Sequence, residues 1–247
     1  MGDRGTAWYR FIRALVRTLV YPALGGFRVL RREHEPLEGP IIVAPVHFSF
    51  LDPPIVACSM KRAITFMAKE ELFKPFLFGP LIKSLGAFKV RRGSGDTEAI
   101  KLAIKLLKEG RAVLMFPEGT RGNGETLGQI TAGAAMLAKR TGAKVLPVGI
   151  HGTYNVLPKG QSKPKRHRMV VAFGEPFTYA DCEIEGDDKA TREKFNQLLE
   201  DWLLEATRAA GLELKRPLSQ KSPEKSLDPA PSNEAVDPAK SESPSHP

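Results

Sequence analysis

Residues 40–54, PIIVAPVHFSFLDPP, contain the pattern that decides the fold. The mostly apolar run 40–46 predicts a strand. Asp52, followed by two prolines, is typical of a helix start, with Asp52 as the N-cap and proline in the first turn. A strand, a short loop and a helix in this order predict one unit of an α/β domain with parallel strands.

The same alternation of apolar runs and helical patterns continues along the chain. We predict strands at residues 40–46, 63–68, 87–90, 112–116, 144–150 and 169–173. We predict helices near residues 70–85, 97–109, 129–141 and 191–210. This order predicts an α/β fold with a central, mostly parallel β-sheet flanked by helices. Pro147 lies inside one predicted strand and favours an edge or bulged position for it.

Composition narrows the functional classes. The chain has 247 residues and a net charge of +9, from 37 basic and 28 acidic residues. This length predicts one domain with appendages. The positive charge favours polyanionic partners, which are phosphate head groups, nucleic acid or an acidic carrier protein. Cys58 and Cys182 have neither CxxC nor zinc-ligand spacing, which excludes a disulfide scaffold and predicts reduced thiols in a cytosolic compartment.

The N-terminal stretch 8–30 is the most apolar part of this end of the chain, but arginines interrupt it. A membrane-spanning helix needs about 20 mostly apolar residues, so we predict none. Arg10, Arg13 and Arg17 fall on one helix face, and apolar residues occupy most of the remainder. This pattern favours an interfacial helix whose arginines lie near the phosphates of an anionic membrane. The alternative is an amphipathic helix packed on its own domain.

Three segments follow from these patterns. Residues 1–32 form the predicted amphipathic membrane-binding segment, and residues 33–215 form the α/β domain. Residues 216–247 are rich in Pro, Ser, Lys and Glu and have no apolar periodicity. Such a segment cannot bury enough apolar surface to offset the entropy of ordering, so we predict a disordered tail.

His47 and Asp52 form the first candidate catalytic pair. His47 follows a predicted strand, at the carboxyl end where open α/β sheets bind their ligands. A loop that folds back would let Asp52 reach Nδ1 of the imidazole and leave Nε2 free as a general base. The alternative is that Asp52 is only a helix cap and His47 only a loop residue.

Two further strands end in arginines. The run 112–116 opens into Pro117-Glu-Gly-Thr-Arg121, and the segment 86–90 leads to Arg91 and Arg92. Gly119 allows close backbone approach, and the planar guanidinium of Arg121 can bind phosphate through two parallel bonds. The alternative for each arginine is an ordinary solvated side chain.

The order of these motifs resembles the glycerolipid acyltransferase family, closest to the 1-acyl-sn-glycerol-3-phosphate acyltransferases. The resemblance covers residues 40–174 and rests on four motifs in the family's order. They are His47-x4-Asp52, Gly86 to Arg92, Phe116-Pro-Glu-Gly-Thr-Arg121 and Leu146-Pro-Val148. The chain differs from many members of the family at two places. Val46 stands where many relatives carry asparagine, and residues 130–132 are Ile-Thr-Ala where relatives often carry Phe-Lys.

The resemblance implies a role for each matched residue. His47 would deprotonate the acceptor hydroxyl, and Asp52 would orient His47. Arg92 and Arg121 would hold the acceptor phosphate, with Lys69 as another basic position near it. Glu118 and Gly119 would shape this pocket, and Thr120 would be a further substrate-binding residue. The implied reaction transfers a fatty acyl group from acyl-CoA or acyl-carrier protein to the sn-2 hydroxyl of 1-acylglycerol 3-phosphate. It needs no metal or redox cofactor.

The resemblance also implies a location and partners. The acceptor and product would be lipids, so we expect a peripheral or monotopic protein on the cytoplasmic face of the cell membrane, with no nucleic-acid partner. Two alternatives stay open. One is the same chemistry on glycerol phosphate or another lysolipid. The other is a non-catalytic module that binds nucleic acid or anionic membrane through the basic segment 159–168, although this segment lacks the aromatic residues that usually stack on bases.

Overall fold

The computed structural model describes residues 5–74, 76, 78–90, 97–158, 160, 161 and 163–217. Residues 218–247 of the predicted tail lie outside the described residues, so its disorder stays a prediction. Residues 1–217 cluster as one compact unit. Cys58 and Cys182 are both buried free thiols, as expected.

A seven-stranded sheet forms the centre of this unit, with strand order β1-β7-β6-β2-β5-β3-β4. The strands are β1 (Phe27–Leu30), β2 (Ile41–Pro45), β3 (Ile64–Lys69), β4 (Ala87–Val90), β5 (Ala112–Leu114), β6 (Lys144–His151) and β7 (Met169–Phe173). Neighbouring strands are parallel except β6 and β7, which are antiparallel. The mostly parallel α/β prediction is therefore confirmed, while β1 was not predicted.

The helices match the predicted alternation, with additional short helices. They are α1 (Ala7–Leu15), α2 (Tyr21–Ala23), α3 (Asp52–Ser59), α4 (Phe78–Ser84), α5 (Thr97–Lys108), α6 (Ala132–Thr141), α7 (Thr153–Val156) and α8 (Asp188–Ala209). Four short segments are π- or 3₁₀-helical: Val16–Val20, Arg32–His34, Glu70–Phe73 and Ala180–Cys182. Helix α8 packs directly on β6 at Gly149. A Cβ at this position would lie only 2.2 Å from the carbonyl carbon of Ala206, so the close approach requires glycine.

Pro147 lies in an interior strand at a bulge, so of the two predicted positions, edge or bulged, the structure shows the bulged one. Strand β6 pairs with β2 on one side and β7 on the other. Val148 pairs with Phe173 while Val145 bridges Phe177, so two residues of β6 face three of the partner chain. The proline carbonyl accepts the N–H of Gly174 at this bulge. The missing N–H of Pro147 therefore falls where the β6–β7 ladder is already interrupted, which explains why an interior strand tolerates it.

The N-terminal segment docks on the domain through its arginine face. Nη1 of Arg13 donates to the carbonyls of residues 60–62 at 3.2–3.4 Å, and Nη1 of Arg17 donates to Cys58 O at 3.0 Å. These carbonyls lie at and just beyond the end of α3, where a helix leaves acceptors unsatisfied and carries partial negative charge. Arg13 and Arg17 therefore bind main-chain carbonyls of the domain, and their predicted contact with lipid phosphates stays a prediction.

The apolar face of the same segment points outward. Trp8, Phe11, Leu15 and Leu19 are spaced three or four residues apart and are 39–61% exposed. A helix packed on its own domain normally buries its apolar face, whereas this helix packs on the domain through its arginine face. None of the helices in the described part of the chain combines the length and the apolar character needed to cross a membrane.

Candidate active site

Two neighbouring strands bring the main motifs together. Strands β2 and β5 are adjacent and parallel, so their carboxyl ends lie side by side. His47 follows β2, and residues 116–121 follow β5. The N–H of Gly122 donates to the carbonyl of His47 at 2.8 Å and joins the two loops. The site therefore lies at the carboxyl edge of the sheet, where the sequence predicted it.

His47 and Asp52 form a direct hydrogen bond. Nδ1 of His47 lies 2.9 Å from Oδ2 of Asp52, whose side chain is completely buried. The same Oδ2 accepts the main-chain N–H groups of Phe48 at 2.6 Å and Ser49 at 2.7 Å. Because Oδ2 serves as an acceptor for all three, Nδ1 is the donor of this bond, and in the neutral imidazole Nε2 then keeps its lone pair. This is the arrangement required of an oriented general base.

Asp52 does not cap helix α3, which corrects the expectation from its position before two prolines. Helix α3 begins at Asp52 itself, and Leu51 occupies the N-cap position without a side-chain bond. The Asp52 side chain instead turns back into the preceding loop and binds its N–H groups. Pro53 and Pro54 have no N–H groups to offer in the first turn, so a capping carboxylate has fewer partners there than in the loop.

The imidazole of His47 is also held from the side. Its ring stacks on that of Phe116, with centroids 3.6 Å apart and an angle of 17° between the planes. The His47 side chain keeps 17% of its surface exposed. No described residue donates to or accepts from Nε2, so this atom faces the open part of the site.

Glu118 binds the main chain of the loop that carries His47. Its Oε1 accepts the N–H of His47 at 2.9 Å, and its Oε2 accepts the N–H of Gly128 at 2.7 Å. The side chain is buried and both of its oxygens accept main-chain N–H groups, so Glu118 helps to hold the His47 main chain in place. Gly128 is required beside it, because a Cβ there would lie 2.5 Å from Oε2.

Burial makes Glu118 sensitive to pH. Desolvation raises its pKa from 4.5 to about 7, against the lowering effect of the two main-chain bonds. The folded protein then holds a proton that the unfolded chain releases between pH 4.5 and about 7. The free energy of unfolding should therefore fall as the pH rises through this window, by up to about 3 kcal/mol.

Glu118→Gln should abolish that part of the pH dependence. We expect the difference in unfolding free energy between the wild type and Glu118→Gln to change by about 1–3 kcal/mol from pH 4.5 to pH 8, measured by urea denaturation. Glu125→Gln is the matched control, because Glu125 is exposed and should leave the wild-type slope unchanged. Parallel curves for wild type and Glu118→Gln would contradict the burial of a titrating carboxyl.

Arg121 presents a buried guanidinium nitrogen that has no acceptor among the described residues. Its Cζ lies 3.9 Å from the ring centroid of Phe50, a close cation–π contact. Its Nη1 is buried, and no described residue accepts a bond from it. An unsatisfied buried donor is costly unless a ligand supplies the acceptor. Arg121 is therefore the described residue best suited to bind an anionic group of a substrate.

The remaining predicted site residues are less informative. Gly119 and Thr120 are exposed in the loop between Glu118 and Arg121, and Gly119 has a φ of 68° that favours glycine. The main chain places Lys69 at the carboxyl end of β3, on the same edge of the sheet. Arg91 and Arg92 lie outside the described residues, so their predicted roles stay predictions.

Four positions of the candidate site were not assigned a role from the sequence. The ring of Phe116 stacks on His47, Gly128 bonds to Glu118, Gly122 bonds to the carbonyl of His47, and the ring of Phe50 contacts the guanidinium of Arg121. Phe116 opens the matched motif 116–121 and Phe50 lies inside His47-x4-Asp52, and this placement is the signal that could have indicated them. In the described part of the chain, no group of three or more His, Cys, Asp or Glu side chains could hold a metal ion.

Comparison with known proteins places this site inside a matched segment. Residues 26–151 match the protein family described as Acyltransferase. The 1-acyl-sn-glycerol-3-phosphate acyltransferase of Streptococcus pneumoniae is 34% identical over 191 residues, which cover 76% of this chain and 68% of that protein. The lyso-ornithine lipid O-acyltransferase of Pseudomonas aeruginosa is 33% identical over 124 residues, covering 50% of this chain and 47% of that protein.

A solved structure agrees with the fold. The 1-acyl-sn-glycerophosphate (LPA) acyltransferase PlsC from Thermotoga maritima superposes with a TM-score of 0.66 and 26% sequence identity. The match covers 82% of this chain and 80% of the Thermotoga chain. The seven-stranded sheet and the flanking helices are thus shared with a protein of known structure.

Proposed function

This chain belongs to the acyltransferase family and is an acyltransferase, and we propose that it acylates the sn-2 hydroxyl of 1-acylglycerol 3-phosphate to give phosphatidic acid. The names of its relatives support this acceptor. The proposed acyl donor is a thioester, either acyl-CoA or acyl-carrier protein. Membership of an enzyme family decides against the non-catalytic binding module.

His47 is the proposed general base. Its Nε2 takes the proton of the acceptor hydroxyl, and the resulting alkoxide oxygen attacks the carbonyl carbon of the thioester. The carboxylate of Asp52, bonded to Nδ1, stabilises the imidazolium that forms. The tetrahedral intermediate collapses with cleavage of the C–S bond, and the leaving thiolate takes the proton back from the His47 imidazolium, which restores the base. Protons and electrons balance in this sequence, so we propose no metal or redox cofactor.

Arg121 is the proposed anchor for the acceptor phosphate. Its guanidinium has a buried nitrogen without a protein acceptor, and it lies one residue from Gly122, which bonds to the His47 carbonyl. A phosphate bound there would hold the neighbouring glycerol hydroxyl close to His47, and such positioning lowers the barrier of the transfer step. Arg92, Lys69, Thr120 and Gly119 complete the proposed acceptor site.

The bond between His47 Nδ1 and Asp52 Oδ2 carries this proposal, because it prepares Nε2 for proton abstraction. The test is an assay with radiolabelled acyl-CoA or acyl-carrier protein and a panel of lysolipids. We expect 1-acylglycerol 3-phosphate to give the highest kcat/KM and phosphatidic acid as the product. Equal use of a lysolipid without phosphate would contradict the proposed acceptor.

A second acceptor class has specific support. The relative from Pseudomonas aeruginosa is named for a lyso-ornithine lipid, and this chain has Ile130-Thr-Ala132 where many relatives carry Phe-Lys. Both the N–H and Oγ1 of Thr131 donate to Pro117 O at 2.9 Å, so this segment supports the loop that carries Glu118. The lysolipid panel above should therefore include lyso-ornithine lipid.

We propose that the enzyme works as a peripheral protein on the cytoplasmic face of the membrane. The exposed apolar side chains of the N-terminal segment support insertion into the lipid interface. The exposed basic loop 163–168 joins the end of this segment, since the N–H of His167 donates to Leu24 O at 2.9 Å. Basic residues beside an apolar face favour binding to anionic lipid.

Removing the apolar face should release the protein from membranes. The double variant Phe11→Ser/Leu19→Ser should lower partitioning onto phosphatidylglycerol vesicles at least about ten-fold, because each side chain can contribute 1.5–3 kcal/mol when fully buried. Sedimentation with vesicles measures the effect. Ile184→Ser is the control, because Ile184 is 40% exposed elsewhere on the domain. Undiminished sedimentation of the double variant would show that another surface binds the lipid.

A further inference from the structure

A cavity of about 350 Å³ lies beside the N-terminal segment, and none of the residues lining it belongs to the proposed acyl-transfer site. Its walls include Arg17 and Tyr21 from the N-terminal segment, Phe27 and Val29 from β1, and Arg32 from the following 3₁₀-helix. The volume is at the lower end of the range for small-molecule sites. It suits a compact group rather than a long chain.

The cavity carries positive charge without a matching acid. Arg17 and Arg32 line it, and no carboxylate does. The Nε of Arg32 is buried and makes no hydrogen bond to any described residue. Glu35 attracts Arg32, but its oxygens already accept the N–H groups of Lys61 and Arg62 at 2.8–2.9 Å. A buried guanidinium donor is thus left for a ligand.

Two arginines repel the charge of Arg32. Burial first, then repulsion from Arg17 and more weakly from Arg13, lower the pKa of Arg32 from its ordinary value, against the opposing attraction of Glu35. Nη1 of Arg17 is bonded to Cys58 O, and its Cζ lies 5.6 Å from the ring centroid of Phe27, so the guanidinium is held in place at the cavity. An anion between the two arginines would relieve the repulsion.

We propose that this cavity binds a phosphate group through the guanidinium groups of Arg17 and Arg32. Planar guanidinium groups match phosphate oxygens with paired, charge-assisted hydrogen bonds. Arg17 belongs to the helical part of the N-terminal segment, whereas Arg32 follows strand β1 of the central sheet. The bound phosphate therefore joins the lipid-facing segment to the domain and stabilises its docked position. The phosphate can come from a lipid head group or from free phosphate.

Calorimetric titration of the full chain with inorganic phosphate tests the site. The titration uses an Arg121→Gln background, so that the proposed acceptor site does not contribute. We expect saturable binding that weakens at least ten-fold with Arg32→Gln. Arg32→Lys keeps the charge but loses the planar guanidinium, so it should also weaken phosphate binding. It replaces Arg32→Gln in the test if that variant does not fold. Arg28→Gln is the control, because Arg28 is an exposed β1 residue outside the cavity.

Two further measurements identify the source of the phosphate and exclude a merely structural role. Hydrogen exchange of residues 7–23 should slow when phosphate is added, except in the Arg32 variants. Vesicles of phosphatidylcholine with and without phosphatidic acid form the lipid arm. Loss of phosphatidic acid-dependent binding in the Arg32 variants assigns the site to a lipid head group, and loss in calorimetry alone assigns it to free phosphate. Equal binding by Arg32 and Arg28 variants in both arms would overturn the proposal.

Discussion

His47→Ala is expected to lower kcat by about 10²–10⁴-fold, the range that a positioned general base contributes. The imidazole is bound at Nδ1 by Asp52 and stacked on Phe116, and its Nε2 is open. The variant therefore lacks the nitrogen that is proposed to accept the hydroxyl proton. Turnover in the radiolabelled acyl-transfer assay measures the loss. Circular dichroism and the midpoint of urea unfolding check that the variant folds.

His34→Ala is the matched control for this experiment. His34 also bonds through Nδ1, to Gly174 O at 3.1 Å, but it lies outside the proposed site. We expect it to keep wild-type turnover within about two-fold, since exposed or loop substitutions away from the site change little. A folded His47→Ala enzyme with wild-type turnover would reject the mechanism.

Asp52 variants separate orientation from charge. In Asp52→Asn, the N–H groups of Phe48 and Ser49 would hold the amide oxygen at the position of Oδ2, so His47 would keep its tautomer and lose the nearby negative charge. Asp52→Ala loses both effects. We expect Asp52→Ala to lower kcat nearly as much as His47→Ala, because residues that act as a unit are not additive. Asp52→Asn should retain a larger share of the activity.

The sheet and the location of the site could be predicted from the sequence because both depend on local patterns. Apolar runs followed by polar loops mark strand ends, and parallel strands bring these ends to one edge. Strand β1 was missed because its four residues include Arg28 and follow an apolar segment with helical spacing. Its pairing with β7, far along the chain, decides its conformation.

The docking direction of the N-terminal segment could not be predicted, because an amphipathic pattern defines two faces without showing which one meets the domain. That choice depends on residues 58–62, about 45 positions along the chain, whose carbonyls bind Arg13 and Arg17. The role of Glu118 was also hidden. Its partners are His47 and Gly128, and only the fold brings their N–H groups to one carboxylate.

Arg121→Lys is expected to lower kcat/KM for a phosphate-bearing acceptor by about 10- to 100-fold, since a hydrogen bond to a charged group contributes about 1.5–3 kcal/mol. Lysine keeps the charge but loses the planar fork and the stacking on Phe50. The effect should appear in KM for the acceptor and leave KM for the acyl donor unchanged. A monoacylglycerol, which has no phosphate, should be used equally poorly by both enzymes.

Phe50 provides a graded version of the same test. Phe50→Ala removes the ring that lies 3.9 Å from the Arg121 guanidinium and should raise the acceptor KM several-fold, about the effect of one cation–π contact. Phe50→Tyr keeps the ring and should behave as wild type. Arg140→Lys is the control for charge-conserving changes, because Arg140 is exposed on α6 away from the site. If Arg121→Lys and Arg140→Lys have the same acceptor KM, the phosphate is bound by other residues. Arg91 and Arg92, which follow β4 in the sequence, are then the residues to replace next.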